Sequence, residues 1–128
     1  MSSYHKTIKI TPVGKPRMTR RDKWAKRPCV MRYWAFGDEL RLKLNDMPFE
    51  PDSLELQIAV PMPKSWSKKK KNEHFAMPHK QKPDVDNMAK AVMDALLKDD
   101  SGVYHISVTK FWAYEGGIEI TARKGGVA

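Results

Sequence analysis

Apolar and polar residues alternate with a period of two in some stretches of the chain and recur every three to four positions in others. Tyr4–Thr11 alternates around Ile8 and Ile10 and predicts a first strand. Leu54–Val60 sets Leu54, Leu56, Ile58 and Val60 against Glu55, Gln57 and Ala59, the pattern of a half-buried strand. Val103–Trp112 and Gly117–Ala122 predict two more, joined through Tyr114-Glu115-Gly116. Met31–Leu44 reads as a helix with Met31, Trp34, Ala35 and Leu42 near one face, although Gly37 weakens it. Asn87–Leu97 is the clearest helix, with an apolar stripe of Met88, Ala91, Val92, Ala95 and Leu96 and Asp86 as its N-cap. The resulting order, β-α-β-α-β-β, predicts an α+β fold in which a small mixed sheet packs with two main helices. Asn45–Ser53, with Pro48 and Pro51, is a turn region, and Arg123–Ala128 reads as a frayed tail. Segments 12–28 and 61–83 read as loops, the second of a length usually functional or mobile.

At 128 residues and 41% hydrophobic content, the chain suits one domain (1–128) with a real core and excludes a wholly disordered protein. Its apolar runs are a few residues long, far short of the roughly 20 that span a membrane. The segment Met1–Lys6 lacks the apolar core of a secretory signal. Cys29, the single cysteine, excludes an internal disulfide and a cysteine-based zinc site. A cytoplasmic, reducing location is therefore expected.

The net charge of +9 is concentrated. Segments Lys15–Arg27 and Lys64–Lys82 each carry seven basic residues against one acid, a charge of +6 apiece, so the rest of the chain is negative. Such unevenness is the footprint of a polyanion partner, while the plainer alternative is a pair of solvated loops. Lys15, Arg17, Arg20, Arg21, Lys68, Lys69, Lys70, Lys71, Lys80 and Lys82 are the candidate nucleic-acid contacts. Nucleic acid is favoured over a membrane surface because neither segment reads as an amphipathic helix.

Against this basic background, five of the fifteen acidic residues fall between Asp84 and Asp100. Asp84 and Asp86 are one residue apart in a stretch read as extended, which would turn both carboxylates to one side. Like charges so placed need a cation between them, and a hard one such as Mg²⁺ or Mn²⁺ suits carboxylate oxygens. Asp100 and Asp94 can add further oxygens. Asp86, Lys90 and Asp94 follow at i, i+4 and i+8, putting a lysine one turn from the pair, where it can stabilise charge developing on a phosphate. The competing reading makes Asp86 a helix cap and Lys90–Asp94 a surface ion pair, which leaves the other carboxylates unexplained.

The block Lys82-Pro83-Asp84-Val85-Asp86-Asn87-Met88-Ala89-Lys90, then Met93-Asp94-Ala95-Leu96 and Asp99-Asp100-Ser101-Gly102-Val103, resembles the core of the RusA family of Holliday junction resolvases. Gly14-Lys15-Pro16-Arg17-Met18-Thr19-Arg20-Arg21 is similar to the basic segment of its phage-type members, and Pro63-Lys64-Ser65-Trp66-Ser67 to their second loop. The resemblance implies that Asp84, Asp86 and Asp100 bind metal and that Lys90 is the active-site lysine. It also implies a homodimer that cuts two opposed strands of a four-way junction with Mg²⁺ or Mn²⁺. The link from helix to Asp99-Asp100 is only Leu97-Lys98, shorter than in some relatives, and Asp100 is chosen for its spacing to Val103.

Other residues carry less. His74 and His79 in the lysine segment are read as contacting phosphate or nothing, and His105 as structural. Cys29 is read as a small packing residue. Trp24 and Trp66 either stack on an unpaired base or anchor their loops, whereas Trp34 and Trp112 read as core. Met47, Phe49, Phe111 and Trp112 are candidates for a face shared between copies. Two rival functions remain, a non-catalytic DNA-binding module and an RNA-binding protein. A simple binder gains nothing from carboxylates facing phosphate, and no aromatic RNA-reading motif occurs.

Overall fold

Leu54, Leu56 and Ile58 are buried because alternate residues of β2 (Ser53–Pro61) project to the same face of a four-stranded sheet. The computed structural model describes residues 2–23 and 26–125; Trp24 and the last three positions of the expected tail, 126–128, lie outside them. Beside β2 run β1 (Ser2–Lys9), β3 (His105–Ala113) and β4 (Gly117–Lys124), in the spatial order β1-β4-β2-β3. Only β2 and β3 pair in parallel, so the sheet is mixed as expected. Its register pairs Leu56 with Ile120 and Ile58 with Ile118 on the covered face. Each such side chain stabilises the fold by roughly 1.5–3 kcal/mol through burial. On the other face polar pairs cross the strands, Arg123 with Glu55 at 3.2 Å and His5 with Glu119 at 3.4 Å. Arg123 and Lys124 thus belong to β4, opposite Ser3 and Ser2, and Gly125 donates its amide to Asp52 (3.0 Å), which corrects the frayed-tail expectation for the described part.

The covered face meets α1 (Pro28–Lys43) and α3 (Val85–Leu96). Pro28 starts α1 at a position where its missing N–H costs nothing. The face of α1 differs from the one expected. Val30, Phe36, Gly37 and Leu40 are buried, while Met31, Trp34 and Leu42 are exposed, Leu42 at 71%. Asp38 lies among the latter set in the helical repeat, so packing selects the neighbouring stripe. Trp34 is accordingly no core residue, whereas Trp112 is. Of the residues considered for a face between copies, Met47, Phe49 and Phe111 are half-buried, the first two against the core, and Trp112 is buried.

Segment 61–83 is not a free loop. Lys68–His74 forms a short helix, α2, whose cap Ser67 accepts from the Lys70 amide at 3.1 Å. Residues 76–79 then line the outer edge of β3, with the Ala76 amide on Trp112, the Trp112 amide on Met77 and the His79 amide on Lys110. This strap closes an edge that would otherwise offer unpaired backbone groups. Within segment 12–28, Arg20–Lys23 forms a 3-10 turn. No helix among the described residues is long and apolar enough to cross a membrane.

Candidate active site

The predicted acidic block begins where the strap turns into α3. Asp84, not Asp86, holds the N-cap position of α3, and its side chain makes no capping hydrogen bond. Asp86 lies in the first turn. The extended period-two geometry expected for the pair is thus replaced by a helix start, while the spacing of Asp86, Lys90 and Asp94 along one helix holds. Both carboxylates lie at the positive end of the helix dipole, which favours their charge.

Asp100 sits in a 3-10 turn, Asp100–Gly102, and β3 begins at His105, two residues after the expected Val103. Its neighbour Asp99 caps that turn by accepting from the Ser101 amide at 2.9 Å, which holds the Asp99 carboxyl below the usual range. Asp99 is engaged and Asp100 is left available.

The first basic segment is fastened to α3. The Lys15 amide donates to the Asn87 carbonyl at 2.9 Å, and the Lys15 ammonium meets Asp94 at 2.7 Å. Tyr33 of α1 donates its hydroxyl to the same carboxylate at 2.6 Å. Desolvation works against the charged form of Asp94, but the Lys15 and Tyr33 hydrogen bonds outweigh it, and the carboxyl stays below its ordinary range. Asp94 therefore anchors a loop; its ion-pair partner is Lys15 and not Lys90. Gly14 permits the approach, since a Cβ there would stand 2.6 Å from that of Pro83.

Lys15, Pro16, Arg17, Asn87, Lys90, Asp94 and Asp100 line a cleft of about 410 Å³. Asp84 and Asp86 do not line it; of the larger hollows, one of about 500 Å³ between Lys9–Val13 and α1 holds none of the acidic block, and two others touch it only at Asp94. Among the described residues the side chains of Asp84, Asp86, Lys90 and Asp100 have no hydrogen-bond or ion-pair partner, and all four are exposed. Other aspartates with described side chains are committed: Asp38 to Arg41, Asp46 to Tyr4 and Lys6, Asp52 to Gly125, Asp94 and Asp99 as above. The uncommitted donors are carboxylate oxygens, which suit a hard divalent cation. Among the described residues, however, no group of three His, Cys, Asp or Glu stands ready to hold a metal ion.

Of the candidate DNA contacts, Arg17, Arg20, Arg21, Lys68, Lys69, Lys80 and Lys82 are exposed. Lys15 is paired with Asp94, Lys70 lies over the Trp66 ring at 4.3 Å, and Lys71 is half-buried. Trp66 anchors its segment, packing on Trp112 at 4.8 Å and on His74 at 4.9 Å. His79 is buried against Trp112 at 4.3 Å rather than facing phosphate, whereas His105 is exposed.

Periodicity did not single out Lys110. From β3 it donates to the carbonyls of Gln81 and Pro83, the latter at 2.7 Å, and so holds the residue just before Asp84. Burial lowers its pKa, and the nearby Asp84 charge opposes that shift. A lysine inside an alternating strand looks like a solvated position, and only the strap across its edge reveals the role.

The family model for endodeoxyribonuclease RusA matches residues 8–123 of this chain. Uncharacterized protein YqaN of Bacillus subtilis (strain 168) is 42% identical over 82 residues, covering 58% of this chain and 58% of that relative. The chain thus spans less than two thirds of the relative's length. The family match takes in the three helices, β2, β3 and nearly all of β4, the acidic block at the start of α3 and both basic segments, leaving out most of β1, and the chain belongs to the RusA endodeoxyribonuclease family.

Proposed function

We propose that this protein is a structure-selective endonuclease that cuts the backbone of branched DNA, four-way junctions above all, with the help of Mg²⁺ or Mn²⁺. The observation that carries the proposal is the set of uncommitted side chains Asp84, Asp86, Lys90 and Asp100 around the start of α3, of which Lys90 and Asp100 line a cleft walled by Arg17 and Lys15. Family membership supports nuclease chemistry on junction DNA. Asp84, Asp86 and Asp100 are the residues that would hold the cation through their carboxylate oxygens. Held by these carboxylates, such a cation would supply acidity to a bound water and polarisation of the phosphate. Lys90 supplies positive charge to the phosphate as negative charge builds on it. Arg17 and the exposed lysines bind flanking phosphates, and Lys110 keeps Asp84 in place through the Pro83 carbonyl.

A synthetic four-way junction incubated with Mg²⁺ and with a chelator tests this. Wild-type protein is expected to cut opposed strands only with the metal and to spare a linear duplex. Asp84→Asn, Asp86→Asn and Asp100→Asn should abolish cutting with junction binding unchanged or tighter, since each removes repulsion against phosphate. Asp99→Asn should still cut. Wild-type rates in the first three variants would sink the proposal and leave a non-catalytic DNA-binding protein.

A further inference from the structure

Exposed apolar residues scattered singly need no explanation, but beyond α2 they are gathered. Phe75 (51% exposed) and Met77 (52%) follow the helix directly, and Tyr114 (51%) stands at the turn after β3. The Phe75 and Tyr114 rings stack, with centroids 5.2 Å apart and planes inclined by 30°. Their positions are held from behind: the Tyr114 hydroxyl donates to Asn72 of α2, and the Ala76 amide donates to Trp112 at 2.9 Å. A rigid aromatic surface left half open to water gains free energy by covering its face, and a nucleobase offers a flat partner of matching size.

Charge along α2 selects the occupant, although the acids Glu73 and Glu115 lie close to the rings along the chain. Lys68 and Lys69 are exposed on the same short helix, and no acid other than Glu73 lies within it. A second protein surface would have to neutralise those lysines, whereas a nucleic-acid strand brings a base and a phosphate together. We infer that Phe75 and Tyr114 form a stacking platform for an unpaired base of DNA, with Lys68 and Lys69 taking its backbone phosphates. The inference rests on the reading that DNA is the partner, and it adds a second contact point away from the aspartates. Tyr114 lies four residues along the chain from Lys110, the lysine tied to Pro83, or about 13 Å of strand. The platform thus stands just past the end of β3, on from the lysine that holds the residue before Asp84. A base freed at a branch point can reach it; a base stacked within a duplex cannot.

The test uses the full chain in chelator, so that no strand is cut, with two fluorescein-labelled probes. One is a single thymidylate strand and the other an abasic strand of equal length and charge. Wild-type protein is expected to bind the thymidylate strand at least about fivefold more tightly, as one stacked base provides. Phe75→Ala should remove that preference, Phe75→Trp should keep it, and Lys68→Gln with Lys69→Gln should weaken both probes alike. Circular dichroism of each variant checks folding, and Phe75→Trp keeps the test decisive if Phe75→Ala does not fold. Equal binding of both probes by the wild type would overturn the platform, as would a preference surviving Phe75→Ala. Phe75→Ala dissociating a self-associated protein in sedimentation would overturn it too, assigning the face to a second copy. Because cutting is never measured, failure of the nuclease reading leaves a distinct signature from failure here.

Discussion

Gly14 illustrates how one residue can decide whether a site exists. Its missing side chain lets the basic segment lie on Pro83 and Asn87, and Lys15 then reaches both Asn87 and Asp94. Gly14→Ala puts a methyl group 2.6 Å from the Pro83 ring and is expected to cost about 1–3 kcal/mol in urea unfolding, the usual range for overpacking. Gly102→Ala is the control, because nothing lies within 4 Å of a Cβ there, and stability should stay within about 0.5 kcal/mol. His79 makes a second prediction. Its ring is buried on Trp112, its Nδ1 has no partner among the described residues, and burial followed by the nearby Lys110 charge lowers its pKa from 6.5. The unfolded chain therefore binds a proton that the folded protein resists, so stability is full above about pH 6.5 and falls as the pH drops. His79→Phe should flatten that decline between neutral and mildly acidic pH, read from urea midpoints. The lowered carboxyl groups of Asp94 and Asp46 act in a separate window, below their ordinary 3.8.

At the scale of elements, α2 is the least expected feature. Four consecutive lysines repel one another, and the helix buries no residue of its own. Its support comes from outside the periodic pattern: the Ser67 cap, and Trp66 beneath Lys70 and His74. Neutralising Lys68, Lys69, Lys70 and Lys71 with glutamine should preserve the helix by circular dichroism, since like-charge repulsion is removed. It should also reduce the salt dependence of junction binding by about 0.9 in log–log slope for each phosphate that is no longer neutralised. Most of that change is expected from Lys68 and Lys69, because Lys70 covers Trp66 and Lys71 is half-buried. An unchanged slope would assign α2 to bulk solvent.

For the molecule as a whole, each chain carries one acidic block, yet a four-way junction is resolved by two cuts on opposed strands. A twofold substrate is most simply matched by a twofold protein, and closed dimers are the commonest assemblies. Sedimentation is therefore expected to return twice the chain mass, for the free protein and within its junction complex. A species with one subunit in both states that still cuts both strands would refute the dimer.

The sequence by itself determined the four strands, α1 and α3, though not α2. Alternation in β2 and β4, the stripe of α3 and the ordered block from Asp84 to Val103 are short-range patterns, and each is legible because neighbouring residues alone produce it. Tertiary structure decided what depends on distant partners. The order β1-β4-β2-β3, with β2 and β3 in parallel, joins strands that no local period relates. The buried face of α1 was settled by the surface it met, because two adjacent stripes both offered apolar residues. Asp94 became an anchor and Lys110 the support behind Asp84 through contacts spanning the fold, and such an ion pair or hydrogen bond is recognised only once its distant partner is in place.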